Sequence, residues 1–322
     1  MKKDILIFAE QKNSIIHNVT YELIGKAMEL SEKIEGDINI VVLGDDNMDL
    51  SELSYYGANK IYHIVGTCFN KPHELLYKEN ITELIKEIKP EIFLIGATSF
   101  GRSLAPRIAA ALNTGLTADC TELKIDDDLE LVQIRPAFSD NILAHIKTTT
   151  SPKMATIRYK EFEKSKRDIN LTAEIVKVMP YKSSNNLVEV LQEIESKEFD
   201  ISEAQIVVSA GKGFKHKDDL KIIYELADIL GGEVGASRAI VDDGYMDKKH
   251  QIGYSGNRVK AKLYIACGIS GAPQHLAGMK ESDKIIAINS DPSAPIFNIA
   301  DYGIVGDVYE ILPMFIQKLK NK

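Results

Sequence analysis

The sequence predicts an α/β protein of two domains, and three observations carry that reading. At 322 residues the chain exceeds one ordinary domain of about 100 to 200 residues. Short buried-strand runs alternate with helical patterns from the first residues onward, as in a parallel sheet covered by helices. The same alternation then restarts at Ile206, after a charged connector.

The elements follow in order. In the first domain, strand-like runs at Ile5 to Ala9, Ile38 to Leu43, Ile61 to Val65 and Ile92 to Ile95 alternate with helical patterns at His17 to Ile34, Glu74 to Ile88 and Arg102 to Leu112. Further strands are predicted at Leu129 to Arg135, Ile142 to Thr149 and Met154 to Arg158, with room for antiparallel additions. Lys160 to Phe199 reads as a connector carrying a strand and a helix. The expected division is 1–200 and 201–322. The second domain opens with a buried strand, Ile206 to Ser209, then Gly211-Lys212-Gly213 and a helix from Asp218 to Leu230. Leu220, Ile223, Leu226, Ala227 and Leu230 fall three and four apart, which gives that helix one apolar face, and Gly231-Gly232 closes it. Strands at Leu263 to Cys267 and Lys284 to Asn289 flank a short helix from Pro273 to Met279. A run at Tyr302 to Val305 precedes the last helix, Val308 to Leu319.

Composition narrows the function. A net charge of −8 without a clustered basic surface argues against a general nucleic-acid binder. Cys68, Cys120 and Cys267 lie far apart, odd in number and without CxxC spacing, so neither disulfides nor a zinc site is expected. The first strand is shorter than a secretory core, and no run approaches the ~18 apolar residues of a membrane span. These features predict a soluble cytoplasmic protein.

The candidate site gathers where strands end. Gly268, Ser270 and Gly271 follow a buried strand and precede a helix start that carries His275; amides there suit negative charge, or simply form a tight turn. In open α/β sheets ligands sit at the carboxyl ends of strands, so Ser270, Gln274, His275 and Asn289 outline a pocket. Lys212 meets a phosphate or ribose, or is a solvated turn lysine, in an incomplete relative of the dinucleotide fingerprint. Arg238, beside Ser237, stabilises an anionic ring, or pairs with Asp242 or Asp243 at the surface. Gln251-Ile252-Gly253-Tyr254-Ser255-Gly256 offers amides and the Ser255 hydroxyl to a ligand, or is an ordinary glycine-rich hairpin turn. Asp307 accepts from an adenine or ribose, or caps the last helix at Val308. No nucleophile triad or metal-ligand spacing accompanies His275, so the cradle suits a redox cofactor that carries its own chemistry.

These motifs are similar to those of a known family. LYIACGISGAPQHLAGMKESDKIIAIN (Leu263 to Asn289), with VVSAGKG, GGEVGASRAIVDDG, DPSAPIFNIADYGIVGD and ILP, resembles the large (alpha) subunit of electron-transfer flavoproteins over nearly all of 206–313. GATSFGRSLAPRIAAALNTGLTADCTEL (Gly96 to Leu123) extends the resemblance into the first half. It implies an N-terminal nucleotide-binding-like α/β domain without a cofactor, and a C-terminal doubly wound parallel-sheet domain that holds FAD. By the same resemblance, Ser255 bonds near flavin N5, His275 donates toward the O2 edge, and Arg238 lies against the isoalloxazine and favours its anionic reduced forms. Ser237, Ser270, Gln274 and Asn289 hold ribityl and diphosphate groups, Lys212 lies near the cofactor, and Asp307 with Val308 faces the adenosine end. Ile252, Gly253, Tyr254, Gly271, Ala272 and Pro273 complete the implied contacts.

Three positions depart from the family pattern: Lys212 where Arg is frequent, Tyr254 where Gln is common, and Pro273 for an aliphatic residue. The last removes one backbone donor at the helix start. The implied partner is a smaller beta subunit that carries AMP, or a second FAD in electron-bifurcating members that react with NADH. Electrons would pass between flavin dehydrogenases, such as acyl-CoA dehydrogenases, and an acceptor. A bifurcating complex is therefore the first alternative. A non-redox adenine-nucleotide-binding regulatory protein is the second, and it leaves Arg238 and His275 unexplained.

Overall fold

The computed structural model describes residues 3–71, 73–137, 142–184 and 201–321. The chain divides into two compact units, Met1–Leu191 and Gln192–Lys322. The expected division after residue 200 abuts residues 185–200, which lie outside those described, as does the helix expected in the connector.

The first unit runs β1 (Ile5–Phe8), β2 (Gln11–Lys12), β3 (Ile15–Ile16), α1 (Val19–Ile34), β4 (Ile38–Gly44), α2 (Ser51–Tyr55), β5 (Lys60–Val65), α3 (Glu74–Ile88) and β6 (Ile92–Gly96). It continues with α4 (Ser99–Leu112), β7 (Leu116–Cys120), β8 (Glu122–Ile125), β9 (Leu131–Ala137), β10 (Ile142–Ile146), β11 (Lys153–Ile157) and β12 (Glu174–Val178). Seven strands form one sheet in the order β12-β5-β4-β1-β6-β11-β7, every pairing parallel. Alternation along β1 sends Ile5 and Ile7 to the α1 face and Leu6 and Phe8 to the α3/α4 face, which is why both faces are apolar. The antiparallel addition is confined to β8, β9 and β10; β11 joins the parallel sheet. Helix α4 begins at Ser99 rather than Arg102 because the Thr98 hydroxyl accepts from the Gly101 amide at 2.9 Å and caps the first turn.

The second unit contains β13 (Ile206–Ala210), α5 (Lys221–Leu230), β14 (Glu233–Ala236), α6 (Arg238–Asp242), β15 (Leu263–Cys267), α7 (Pro273–Leu276), β16 (Ile285–Asn289), β17 (Tyr302–Val305) and α8 (Val308–Lys320). Its strands are all parallel in the order β14-β13-β15-β16-β17. The strand order therefore reverses direction between β13 and β15. Helices α5, α6 and α8 cover one face through Ile223, Leu226, Ile240, Leu312 and Ile316. The other face, with Val207, Tyr264, Ala266 and Ala287, is covered by irregular chain carrying Ile252, Val259, Met279 and Ile296. The helix expected from Asp218 starts as a 3-10 turn, Lys217–Leu220, where the Asp219 carboxylate accepts from the His216 amide. Helix α7 stops at Leu276, short of Met279, because Gly278 then packs directly on Gly253.

Candidate functional site

Five parallel strands bring their carboxyl ends to one edge, and the candidate residues follow those ends. Backbone hydrogen bonds tie the segments together there: Ser237 N to Ala210 O, Gly211 N to Cys267 O, Gly213 N to Gly268 O, Gly268 N to Ile288 O and Gly306 N to Asn289 O. Parallel register at this edge thus lines up Ser237 and Arg238 after β14, Lys212 after β13, Ser270 to His275 after β15, Asn289 on β16, and Asp307 after β17. The loop 251–257 is drawn in beside β14 by Ile252 N to Ala236 O at 2.9 Å. The two sides of a strand-order reversal form the usual ligand crevice of open α/β sheets, and Lys212 and Gly268 stand on those two sides.

The cations at this edge are exposed. Arg238 Nε donates to Asp242 Oδ2 at 3.1 Å, four residues along α6, and Lys212 Nζ lies 3.3 Å from Asp243. Such surface pairs contribute at most about 1 kcal/mol, so neither holds its cation away from a stronger anionic partner. Next to Arg238 the Ser237 hydroxyl is buried without a hydrogen-bond partner. A buried unpaired hydroxyl costs about 1–3 kcal/mol, so a ligand oxygen at this point fits the chain better than none.

The turn after β15 is glycine-shaped. Gly271 has φ +91°, and a Cβ on it would sit 2.3 Å from Ile296 N, so no larger residue is accommodated. Among the described residues the amides of Gly271, Ala272 and Gln274 donate to no backbone carbonyl, which leaves three donors around Pro273, itself without one. Ser270 is exposed, its carbonyl accepting from Ile296 N at 3.0 Å. Asn289 donates its side-chain amide to Ile269 O at 2.8 Å, which holds the turn over β16.

Across from this turn, Tyr254 N donates to Gln274 O at 2.7 Å, so the 251–257 loop lies against the start of α7. Ser255 Oγ accepts from the buried Gln251 amide at 3.2 Å, which leaves the serine proton free to donate outward. Tyr254 is largely exposed, with the Arg258 guanidinium over its ring at 5.8 Å. His275 is buried: its Nδ1 is 3.1 Å from Ile252 O and its Nε2 is 3.0 Å from the Tyr264 hydroxyl. Burial pulls its pKa down to about 4, so the ring is neutral at pH 7. Both ring nitrogens therefore have protein partners. Asp307 caps α8, its carboxylate accepting from Tyr309 N at 2.9 Å, and Val308 is buried beneath it.

Sequence reasoning placed Gln251 in the ligand-facing turn without giving it a role, and it gave Tyr264 none. The signal for Tyr264 was a polar tip in an otherwise apolar strand, which must find a partner when buried. Gln251 sits four residues before Ser255 in the same turn, a spacing that carries no meaning outside a helix. Among the described residues no cluster of three or more His, Cys, Asp or Glu could hold a metal, and no helix is long and apolar enough to cross a membrane.

Comparison with known proteins adds a family. The model of the electron transfer flavoprotein domain matches residues 5–183, and that of the electron transfer flavoprotein FAD-binding domain matches residues 200–280. An electron transfer flavoprotein subunit alpha of Thermoanaerobacterium thermosaccharolyticum is 45% identical over 324 residues, covering 99% of this chain and 98% of that protein. A protein of the same description from Megasphaera elsdenii is 41% identical over 329 residues, 99% of this chain and 97% of the relative. Subunit LctC of a lactate dehydrogenase (NAD(+),ferredoxin) of Acetobacterium woodii is 43% identical over 329 residues, 99% of this chain and 77% of the relative.

Proposed function

Because the chain belongs to the electron transfer flavoprotein alpha-subunit family and so to an electron-transfer complex, we propose that it holds FAD at the carboxyl edge of its second unit and pairs with a beta subunit. The observation that carries the reading is the buried, unpartnered Ser237 hydroxyl beside the exposed Arg238, next to the β13/β15 reversal. When bound, the flavin accepts and releases electrons one or two at a time, which no side chain in this edge does by itself.

The chain's own residues hold and tune that group. The free amides of Gly271, Ala272 and Gln274, with Ser237, Ser270 and Asn289, donate to diphosphate and ribityl oxygens. Lys212 adds a mobile cation to the same end. Asp307 and Val308 bound the adenosine end, where the second carboxylate oxygen of Asp307 accepts from hydroxyl or amine groups. Ile252, Gly253 and Tyr254 wall the ring, and Ser255 directs its free proton to a ring nitrogen. Arg238 exchanges its weak pairing with Asp242 for the ring, where a permanent cation favours negative charge on the reduced form. His275 closes the pyrimidine side as a neutral ring.

The partners follow from this reading. The beta subunit completes the particle, and a flavin dehydrogenase, such as an acyl-CoA dehydrogenase, delivers the electrons. The test is to co-purify the chain with its beta partner and record absorption: flavin bands at about one FAD per alpha chain are expected, and their absence would reject the site.

A second reading, a subunit of an NADH-dependent bifurcating complex, draws on the 43% identity to the LctC subunit of an NAD(+),ferredoxin enzyme. Two FAD per heterodimer with rapid reduction by NADH favours it; one FAD with AMP rejects it. The non-redox regulatory reading requires nucleotide without flavin, and it gives the exposed Arg238 no role.

A further inference from the structure

Strand β15 reads LYIAC, and its one polar tip, the Tyr264 hydroxyl, is wholly buried. A buried phenol needs a partner, and here it is His275 Nε2 at 3.0 Å. On the far side of the imidazole, Nδ1 is 3.1 Å from the Ile252 carbonyl. A carbonyl only accepts, so Nδ1 carries the proton. The buried ring is neutral, so Nε2 is bare and Tyr264 is the donor. The two partners thus dictate a single tautomer. Burial also pushes the phenol's own pKa well up, so the donor keeps its proton.

The ring joins three segments of the candidate site. Tyr264 belongs to β15, His275 to α7, and Ile252 to the loop that carries Ser255. That loop has little freedom elsewhere. A Cβ on Gly253 would sit 2.8 Å from Gln274 O, one on Gly278 would sit 2.4 Å from Gly253 N, and Val259 N donates to Gly278 O at 2.8 Å. Rotating the imidazole frees the Ile252 carbonyl, at the start of the turn that presents Ser255, whose amides stay bonded to Ala236, Asn257 and Gln274.

We propose that Tyr264 is a positioning residue of the flavin site: its hydroxyl holds His275 as the Nδ1–H tautomer in one orientation, and through that ring fixes the Ile252–Ser255 turn against Gln274. The consequence at the flavin rests on the reading above, whereas the tautomer does not. His275 then supplies no cation at neutral pH, and Arg238 alone of the two counters charge on the reduced ring.

The test uses the alpha chain in complex with its beta partner, and the substitution Tyr264→Phe, which removes one oxygen and keeps the ring. In histidine-labelled native complex, ¹⁵N spectra should show His275 Nδ1 protonated and Nε2 unprotonated; a protonated Nε2 overturns the proposal. In Tyr264→Phe the two resonances should move toward each other as the tautomers mix. The one-electron equilibrium of the bound flavin should shift about threefold to tenfold, the change expected from loss of one neutral hydrogen bond. In a His275→Gln background the same substitution should add nothing, because Tyr264 acts only through the imidazole. An equal shift in that background, or a lower Tm with an unchanged potential, overturns the positioning role. If the native complex holds no flavin, the proposed function fails, while the ¹⁵N spectra still decide the tautomer. Should Tyr264→Phe fail to fold, the native spectrum and His275→Gln, which should shift the potential, still decide.

Discussion

Both units build an all-parallel sheet with a strand-order reversal beside its first strand, between β1 and β6 in the first and between β13 and β15 in the second, yet they close that reversal in different ways. Between β1 and β6 of the first unit, the crevice is bridged by side chains, Thr98 Oγ1 donating to Glu10 Oε2 at 2.5 Å, while on the β4 side of β1 buried Gln11 reaches Leu43 O and Phe69 O. Between β13 and β15 of the second unit, backbone meets backbone through Gly211 N to Cys267 O and Gly213 N to Gly268 O. Side chains of the following turns are then left facing outward, and the Ser237 hydroxyl in one of those turns is left buried without a partner, as are those of Ser209 on β13 and of Thr20 and Thr82 in the first unit. The cavity of about 420 Å³ in the first unit lies elsewhere, beside the edge strand β12, lined by residues such as His63, Leu171 and Lys177. Sheet topology is common to both crevices, so the residues just past the strand ends are what distinguish them.

The sharpest way to break this contrast is to add one methyl group at each strand end. A Cβ on Gly211 would lie 2.3 Å from Gly268 O, a backbone atom that cannot step aside. Gly211→Ala is expected to destabilise the second unit by about 3 kcal/mol and to abolish flavin retention. At Gly44, the end of β4, the nearest atom is Met48 Sδ at 3.0 Å, the end of a flexible side chain. Gly44→Ala should cost under about 1 kcal/mol. Urea melts of both variants, with flavin absorbance after gel filtration, decide; equal losses would show that the backbone closure is not special to the second unit.

Acidification should press on the second unit almost as strongly. The folded pKa of His275 is depressed to about 4 from the ordinary 6.5 of a free histidine. Between those values the unfolded chain binds a proton that the folded chain refuses, so stability is fully present above pH 6.5 and falls as pH drops toward 4. The loss is about 3 kcal/mol over that window. His63 in the first unit is held down too, chiefly by burial, with Asp46 pulling it back up. Melts at pH 7 and 4.5 should therefore respond to His275→Gln by flattening the second unit's pH dependence. An unchanged slope would mean that His275 titrates normally and that its cage of Tyr264 and Ile252 is open in solution.

How much of this was legible beforehand depends on what carries the signal. A continuous apolar run located β15, and a helical pattern located α3, at their observed limits, because burial on both faces or on one is written in the chain itself. Short elements were lost: α2 and the β2/β3 hairpin have too few residues for a period to show, and β7, LTADC, is as long as β15 but broken by polar Thr117 and Asp119. At the site, Arg238 and Lys212 were visible as charges near strand ends, and the surface pairing weighed for Arg238 is present. The state of His275 was not visible, since the residues that fix its proton lie 11 and 23 positions away and meet it only through the fold.

Charge at the edge gives a smaller effect. Arg238→Ala should leave folding stability within about 0.5 kcal/mol, because its pair with Asp242 is exposed. The same change should weaken the reduced, anionic flavin by about 1.5–3 kcal/mol, the value of a hydrogen bond to a charged group. Reductive titration of the complex measures it, and a titration that matches the native one removes Arg238 from the ring.

The smallest effect separates a donor from a spacer. Ser255 accepts from Gln251 and keeps its own proton to give, so Ser255→Ala removes one outward donor and leaves the buried Gln251 amide with one bond fewer. The expected change at the flavin is about 0.5–1.5 kcal/mol in its reduction equilibrium. Gln251→Ala acts from behind: it removes the bond that orients the hydroxyl without removing the donor, so its shift should be smaller and of the same sign. Potentiometry on the two variants sets the order. If Gln251→Ala shifts the potential and Ser255→Ala does not, the loop acts by its shape alone, and Ser255 drops out of the side chains that the second unit's edge offers to the flavin.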